Sequence, residues 1–141
     1  MLTITHSHVW VFDLDEAIDF YVGTLGFEIA TDVDLEFMRW VTVQAPDQPE
    51  RQVLLELTAP PSLDPGSAET VRDLVSKGAT GFALGLTTDD CRGTYEALRA
   101  KGVEFVEEPT ERFYGIDCAI RDPFGNQIRI TEPAPPPAAG G

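Results

Sequence analysis

THSHVWVFDLDEAIDFYVGTLGFE, residues 5–28, changes its periodicity halfway along. Over 3–12 the chain alternates, with Ile4, His6, His8, Trp10 and Phe12 on one face and Val9 and Val11 on the other. That is the two-residue period of a strand. Asp13 and Asp15 then suit a helix start. Leu14, Ile18, Tyr21 and Leu25 follow as the stripe of an amphipathic helix, and Gly26 ends it. The same reading recurs downstream. A shift of 76 carries Asp13 onto Asp89, Gly26 onto Gly102 and Glu28 onto Glu104, so LGFE (25–28) meets KGVE (101–104). At an offset of 73, LELT (55–58) meets IRIT (128–131). The matches fall at helix ends and strand centres, which marks a duplicated structural unit.

The rest of the chain fills in that unit. FEIATDV, FMRWVTVQA and QVLLELT read as strands after the first helix, with APDQPER and APPSLDPG as loops. SAETVRDLVSKG reads as a short helix ending at Gly78. GFALGLTT is then a strand and DDCRGTYEALRAKG a helix, with Cys91, Tyr95 and Leu98 on one stripe. VEFVEE, GIDCAIRD and NQIRITE are strands, and DPFGN (122–126) turns between the last two. The expected fold is α+β. It has two tandem βαβββ modules, each curling a mixed sheet around a cleft. Module one spans 1–60, a helical linker 61–79 and module two 80–132, together one pseudo-symmetric domain. The tail 133–141, rich in Pro, Ala and Gly, is expected to be disordered.

Composition narrows the function. The 141 residues carry 24 acids against 10 bases, a net charge of −14. Nucleic acid selects basic surfaces, so it is excluded as a partner. An acidic field concentrates cations, so a cationic small molecule is permitted, although solubility alone explains the charge equally well. No apolar run reaches the ~18 residues of a membrane span, and the start lacks a secretory pattern. A cytoplasmic protein with no membrane partner is expected. Cys91 and Cys118 form no CxxC pair and read as two free thiols.

The polar outliers carry the chemistry. Glu56 lies between Leu55 and Leu57, and Arg129 between Ile128 and Ile130. They are repeat equivalents, and the 76 shift maps His6 onto Phe82. His6, Glu56, Phe82 and Arg129 are therefore four symmetry-related inward positions if the sheets enclose a cavity. If one sheet face is solvated instead, a Glu or Arg there is ordinary. A buried carboxylate needs a partner, and Arg129 is the candidate for Glu56.

HSHVWVFDLDEAIDFYVGTLGFE, LLELT, GFALGLTTDD, KGVEF and RDPFGNQIRITE, in that order over residues 6–132, resemble the vicinal oxygen chelate superfamily. That family includes glyoxalases, extradiol dioxygenases, fosfomycin-resistance enzymes and bleomycin-binding proteins. The resemblance implies paired βαβββ modules and a homodimer. In the family's metal-dependent enzymes, the first and last strands of each module carry His, Glu or Gln ligands. His6 and Glu56 fit that pattern here. Phe82 has no donor atom, and Arg129 is a cation that repels a metal. No cofactor is therefore expected. The alternative is a divalent metal on His6, His8 and Glu56, a chemically reasonable three-ligand set that is not the family's arrangement.

The cavity reading adds aromatics to these groups. Trp10 shares the face of His6 and His8. Phe82, Leu84 and Leu86 share a face in the matching strand. Trp40 lies with Met38, Thr42 and Gln44, and Phe113 and Tyr114 sit in a loop before GIDCAIRD. Such a set suits a small-molecule pocket, with stacking and cation–π contacts to the ligand. Core packing is the competing explanation, above all for Phe37 and Trp40 taken singly. The histidines are equally readable as hydrogen-bonded structural residues. Asp117 could project toward Tyr114. The candidate ligand-binding residues are His6, His8, Trp10, Trp40, Glu56, Phe82, Tyr114 and Arg129. The expected function is metal-independent binding of a hydrophobic, aromatic or cationic small molecule, such as antibiotic sequestration. The alternative is a glyoxalase- or dioxygenase-like lyase, isomerase or oxygenase using His6 and Glu56.

Overall fold

The computed structural model describes residues 1–136. Its chain orders as β1 (His6–Val11), α1 (Leu14–Ile18) running into a π-helical segment (Asp19–Thr24), β2 (Glu28–Asp34), β3 (Arg39–Gln44) and β4 (Gln52–Leu57). Next come α2 (Pro65–Ser76), β5 (Phe82–Thr87), α3 (Cys91–Ala100), β6 (Glu104–Arg112), β7 (Gly115–Arg121) and β8 (Gln127–Pro133). Two four-stranded open sheets result, ordered β1-β4-β3-β2 and β5-β8-β7-β6. In each, the first and last strands of the module pair in parallel and the remaining neighbours are antiparallel. The duplicated βαβββ order read from the sequence is therefore present.

The contacts group into two compact units. One takes Met1–Thr80 with Pro123–Asn126, and the other takes Gly81–Asp122 with the described residues from Gln127 onward. In the first unit Val9, Val11, Val41, Val43, Leu54 and Leu55 are buried with Leu14, Ala17, Phe20 and Tyr21 of the helical segment. The π turn widens the helix and rotates its last residues. Phe20 and Tyr21 are buried in succession as a result, while Ile18 and Leu25, expected on the stripe, are only half-buried. The turn Pro123–Asn126 packs here too. Phe124 meets Phe12 with the rings tilted and their centroids 5.1 Å apart, and Asn126 donates to the Trp10 carbonyl at 2.7 Å. In the second unit the core is Cys91 and Leu98 of α3 against Cys118, Ala119, Ile120, Ile128 and Ile130. Tyr95 completes the α3 stripe half-buried, 4.6 Å from the Phe105 ring.

Several boundaries differ from expectation, each for a local reason. β1 begins at His6 rather than residue 3, leaving Ile4 outside the strand and 82% exposed. α2 begins inside the expected loop because Asp64 caps it, accepting from the Ser67 amide at 3.0 Å, with Pro65 in the first turn. β6 runs past Glu108 to Arg112, carrying Pro109 through a register shift between Glu107 and Thr110. An irregular edge strand tolerates a proline in that way. Phe37 is 70% exposed and is no core residue. Of the tail expected at 133–141, Pro133 closes β8, and residues 137–141 lie outside the described residues.

Candidate functional site

In the first unit, β1 alternates as the sequence predicts. Val9 and Val11 are buried, while His6, His8 and Trp10 line the other, more open face. The parallel register sets Trp10 opposite Glu56 and His8 opposite Leu54. His8 Nδ1 lies 2.9 Å from Glu56 Oε2, and its ring leans on Trp10 with centroids 4.8 Å apart. His6 meets Trp40 edge-on at 5.7 Å. Thr42 of β3, on the Trp40 side of the strand, donates to Gln52 at 2.8 Å. The five predicted residues His6, His8, Trp10, Trp40 and Glu56 thus share one sheet face. The partner of Glu56 is His8 rather than the expected Arg129.

Arg129 has its own carboxylate in the second unit. Asp117, fully buried on β7, accepts hydrogen bonds from Arg129 Nη1, from Tyr114 Oη at 2.5 Å and from Arg112 Nε at 3.2 Å. Arg112 also donates to Glu107. The Arg129 guanidinium carbon sits 4.4 Å from the Phe82 ring centroid, a cation–π stack. Burial pushes the Asp117 carboxyl up, but the hydrogen bonds from Tyr114, Arg129 and Arg112 outweigh it and hold the pKa below the ordinary carboxylate value. Its hydrogen bond to Asp117 pushes the Tyr114 phenol up in turn. A surface pocket of about 510 Å³ opens beside this cluster, lined by Glu111, Arg112, Phe113, Tyr114 and Arg129.

Local structure places these groups. Gly115 follows the Phe113–Tyr114 turn with φ +143°, and a Cβ there would stand 2.1 Å from the Glu132 carbonyl oxygen. Glycine is required for β7 to approach β8 so closely. On β5 a register shift between Phe82 and Leu84 breaks the expected alternation. Phe82 pairs with Gln127 and Gly85 with Arg129, so Phe82 joins the Arg129 side. Leu84 and Leu86 pair with the buried Ile128 and Ile130. Leu84 and Leu86 therefore leave the face assigned to them with Phe82.

Asp117 is the functional candidate whose role the sequence left open, and Arg112 and Glu107 were missed. The usable signal was an acid at the centre of the apolar strand GIDCAIR, since a buried carboxylate must be paired. The cysteines offer no exposed nucleophile. Cys91 and Cys118 are buried with sulfurs 3.7 Å apart, and burial foremost pushes the Cys118 thiol up to about 12.

The positions that resemble the family's metal ligands do not form a donor set. Phe82 offers no donor, Arg129 is a cation bound to Asp117, and Glu56 is engaged by His8. Among the described residues no three His, Cys, Asp or Glu side chains converge into a metal-holding group. Two of the four positions, Phe82 and Arg129, therefore supply no donor for a cation.

Comparison with known proteins agrees with the fold. The profile of the Glyoxalase/Bleomycin resistance protein/Dioxygenase superfamily matches residues 3–130. The uncharacterized protein YurT of Bacillus subtilis (strain 168) is 32% identical over 132 residues, 93% of this chain and 99% of its own. The crystal structure of UcmS2 superimposes with a TM-score of 0.89 at 36% identity, covering 94% of this chain and 98% of that one. TnmS3, an antibiotic binding protein from Streptomyces sp. CB03234, gives a TM-score of 0.73 at 28% identity, covering 95% and 98%. With the duplicated βαβββ order and a match across nearly its whole length, the chain belongs to the Glyoxalase/Bleomycin resistance protein/Dioxygenase superfamily.

Proposed function

We propose that this protein binds a hydrophobic, aromatic or cationic small molecule without a metal ion and acts by sequestration, as an antibiotic-binding protein would. One observation carries the reading. Arg129 takes a position that, by the family resemblance, holds a metal ligand in the metal-dependent enzymes, and the buried Asp117 accepts a hydrogen bond from its guanidinium, which stays a cation. The open aromatic face of His6, His8, Trp10 and Trp40 and the pocket beside Tyr114 supply stacking surface with a few oriented polar groups. TnmS3, similar along its whole length, is an antibiotic binding protein, which supports this choice within the superfamily. We propose a cytoplasmic homodimer as the working form, as the family resemblance implies. No helix among the described residues is long and apolar enough to cross a membrane.

Titration calorimetry against a panel of basic and aromatic natural products, with and without EDTA, tests the reading. Stoichiometric binding that ignores the chelator, with the ligand recovered unchanged, is the expected result. No saturable binding across the panel, or binding abolished by EDTA and restored by Zn²⁺ or Mn²⁺, overturns it.

The His8–Glu56 contact favours one second reading, a metal-free enzyme in which Glu56 is the general base and His8 orients it. Chemical conversion of a bound ligand separates that reading from sequestration.

A further inference from the structure

The pocket of the second unit has a chemistry of its own. Among the described residues, the hydrogen bonds of Arg129 go to Asp117, through Nη1. A guanidinium has five N–H donors in a fixed fork, so Nε and Nη2 keep donors to offer. The side chain is 29% exposed and lines the pocket. Phe82 covers one face of the guanidinium, and the exposed Phe113 stands edge-on to Tyr114 with centroids 5.2 Å apart. Phe113 and Tyr114 thus give the pocket aromatic surface beside Arg112, Arg129 and Glu111, and the spare N–H groups of Arg129 are donors.

Charge decides which acceptor fits. Arg112 and Arg129 are each compensated, by Glu107 and Asp117, so the cluster is neutral as a whole. Glu111 on the rim pairs with Arg92 at 3.4 Å. A ligand ammonium would face two guanidiniums, and the rim carboxylate Glu111 already shares a solvent-exposed pair with Arg92. A ligand carboxylate on the spare N–H groups would set a second negative charge beside Asp117 in a neutral cluster, inside a chain of net charge −14. An uncharged oxygen acceptor takes the spare N–H groups without disturbing either ion pair.

Resting on the small-molecule reading above, we infer that this pocket selects a flat aromatic ring bearing a neutral oxygen acceptor, such as a carbonyl or carboxamide, with Arg129 as the specificity-determining residue. The ligand class thereby narrows, and the cationic members expected from composition drop out.

Three probes of one shape test it, namely 2-naphthamide, 2-naphthoate and 2-naphthylmethylammonium. Each is titrated into the full chain while the arginine Nε–Hε signals are followed by NMR. The amide is expected to bind about tenfold tighter than either charged probe and to shift the Arg129 signal saturably, the margin of one hydrogen bond. Arg129→Met should remove that margin, and Arg129→Lys, which keeps the charge but not the fork, should recover only part of it. Asp117→Asn should reverse the order, favouring the naphthoate, because one negative charge leaves the cluster. A charged probe binding tightest to the wild type, or amide binding unchanged in Arg129→Met, overturns the inference while small-molecule binding stands. No saturable shift with any probe overturns the binding reading and the inference together.

Discussion

Asp117, not Glu56, is the counter-ion of Arg129, and it also holds Arg112 and the Tyr114 hydroxyl. Asp117 is fully buried, so its charge survives only through those three donors. Its pKa is lowered in the folded protein, burial being outweighed by the hydrogen bonds. The stability it contributes is therefore complete above its unfolded pKa of about 3.9 and is lost as pH falls through the lower folded value. Asp117→Asn should cost roughly 1–3 kcal/mol at pH 7, because an amide cannot accept from three donors as a carboxylate does. The gap between wild type and variant in urea denaturation should close as pH drops below about 4. A gap constant from pH 7 to pH 3 would show that the carboxylate charge is not what matters.

Much of this was legible in the residues. The switch from period two to a helical stripe at Asp13, and the echo of LGFE in KGVE, carried the duplicated fold, because both depend on local pattern. The shared face of His6, His8, Trp10 and Glu56 followed from strand alternation and the repeat. The pairing of carboxylates with cations did not follow. Alternation gives the face of a side chain but not its neighbour, so the His8 contact of Glu56 and the Asp117 contact of Arg129 were not foreseen. The register shift at Phe82–Leu84 and the π turn at Asp19–Thr24 each insert a residue into a regular period, and neither has a residue signature. The packing of Phe124 and Asn126 with Phe12 and Trp10 is a contact across more than a hundred residues, beyond any local pattern.

Gly125 should be intolerant of any side chain. Its φ is +114°, and a Cβ would stand 2.3 Å from the Val75 carbonyl oxygen, a backbone atom that cannot swing aside. Positive φ adds strain to the clash. Gly125→Ala is expected to destabilise by about 3 kcal/mol or more, read as a fall in Tm on the order of 10 °C. Gly23→Ala is the control, since no atom lies within 4 Å of a Cβ there. An unchanged Tm for Gly125→Ala would mean that the turn packs differently.

Cys91 and Cys118 should be silent toward thiol reagents in the native state. Both are fully buried, and burial pushes both thiols up, Cys118 to about 12. The reactive thiolate is then scarce at neutral pH and out of reach. Ellman's reagent at pH 8 is expected to titrate neither in buffer and both in 6 M guanidinium chloride. Rapid reaction of either in buffer would show that α3 opens away from β7 far more often than its packing implies.

Glu56→Gln separates binding from catalysis on the first unit's face. The change is isosteric and removes only the charge in contact with His8, whose side chain is 47% exposed. A pair that open contributes at most about 1 kcal/mol, so the fold should survive with a Tm shift of a few degrees. A binding protein should keep its ligand within about tenfold, since one charge-assisted hydrogen bond becomes a neutral one. An enzyme using Glu56 as base should keep the ligand and lose turnover by 10²-fold or more, on the order expected for general-base removal. The expected outcome is retained binding, with no product from either the variant or the wild type. Product from the wild type and none from Glu56→Gln, at equal affinity, would reverse the assignment and make the His8–Glu56 pair catalytic.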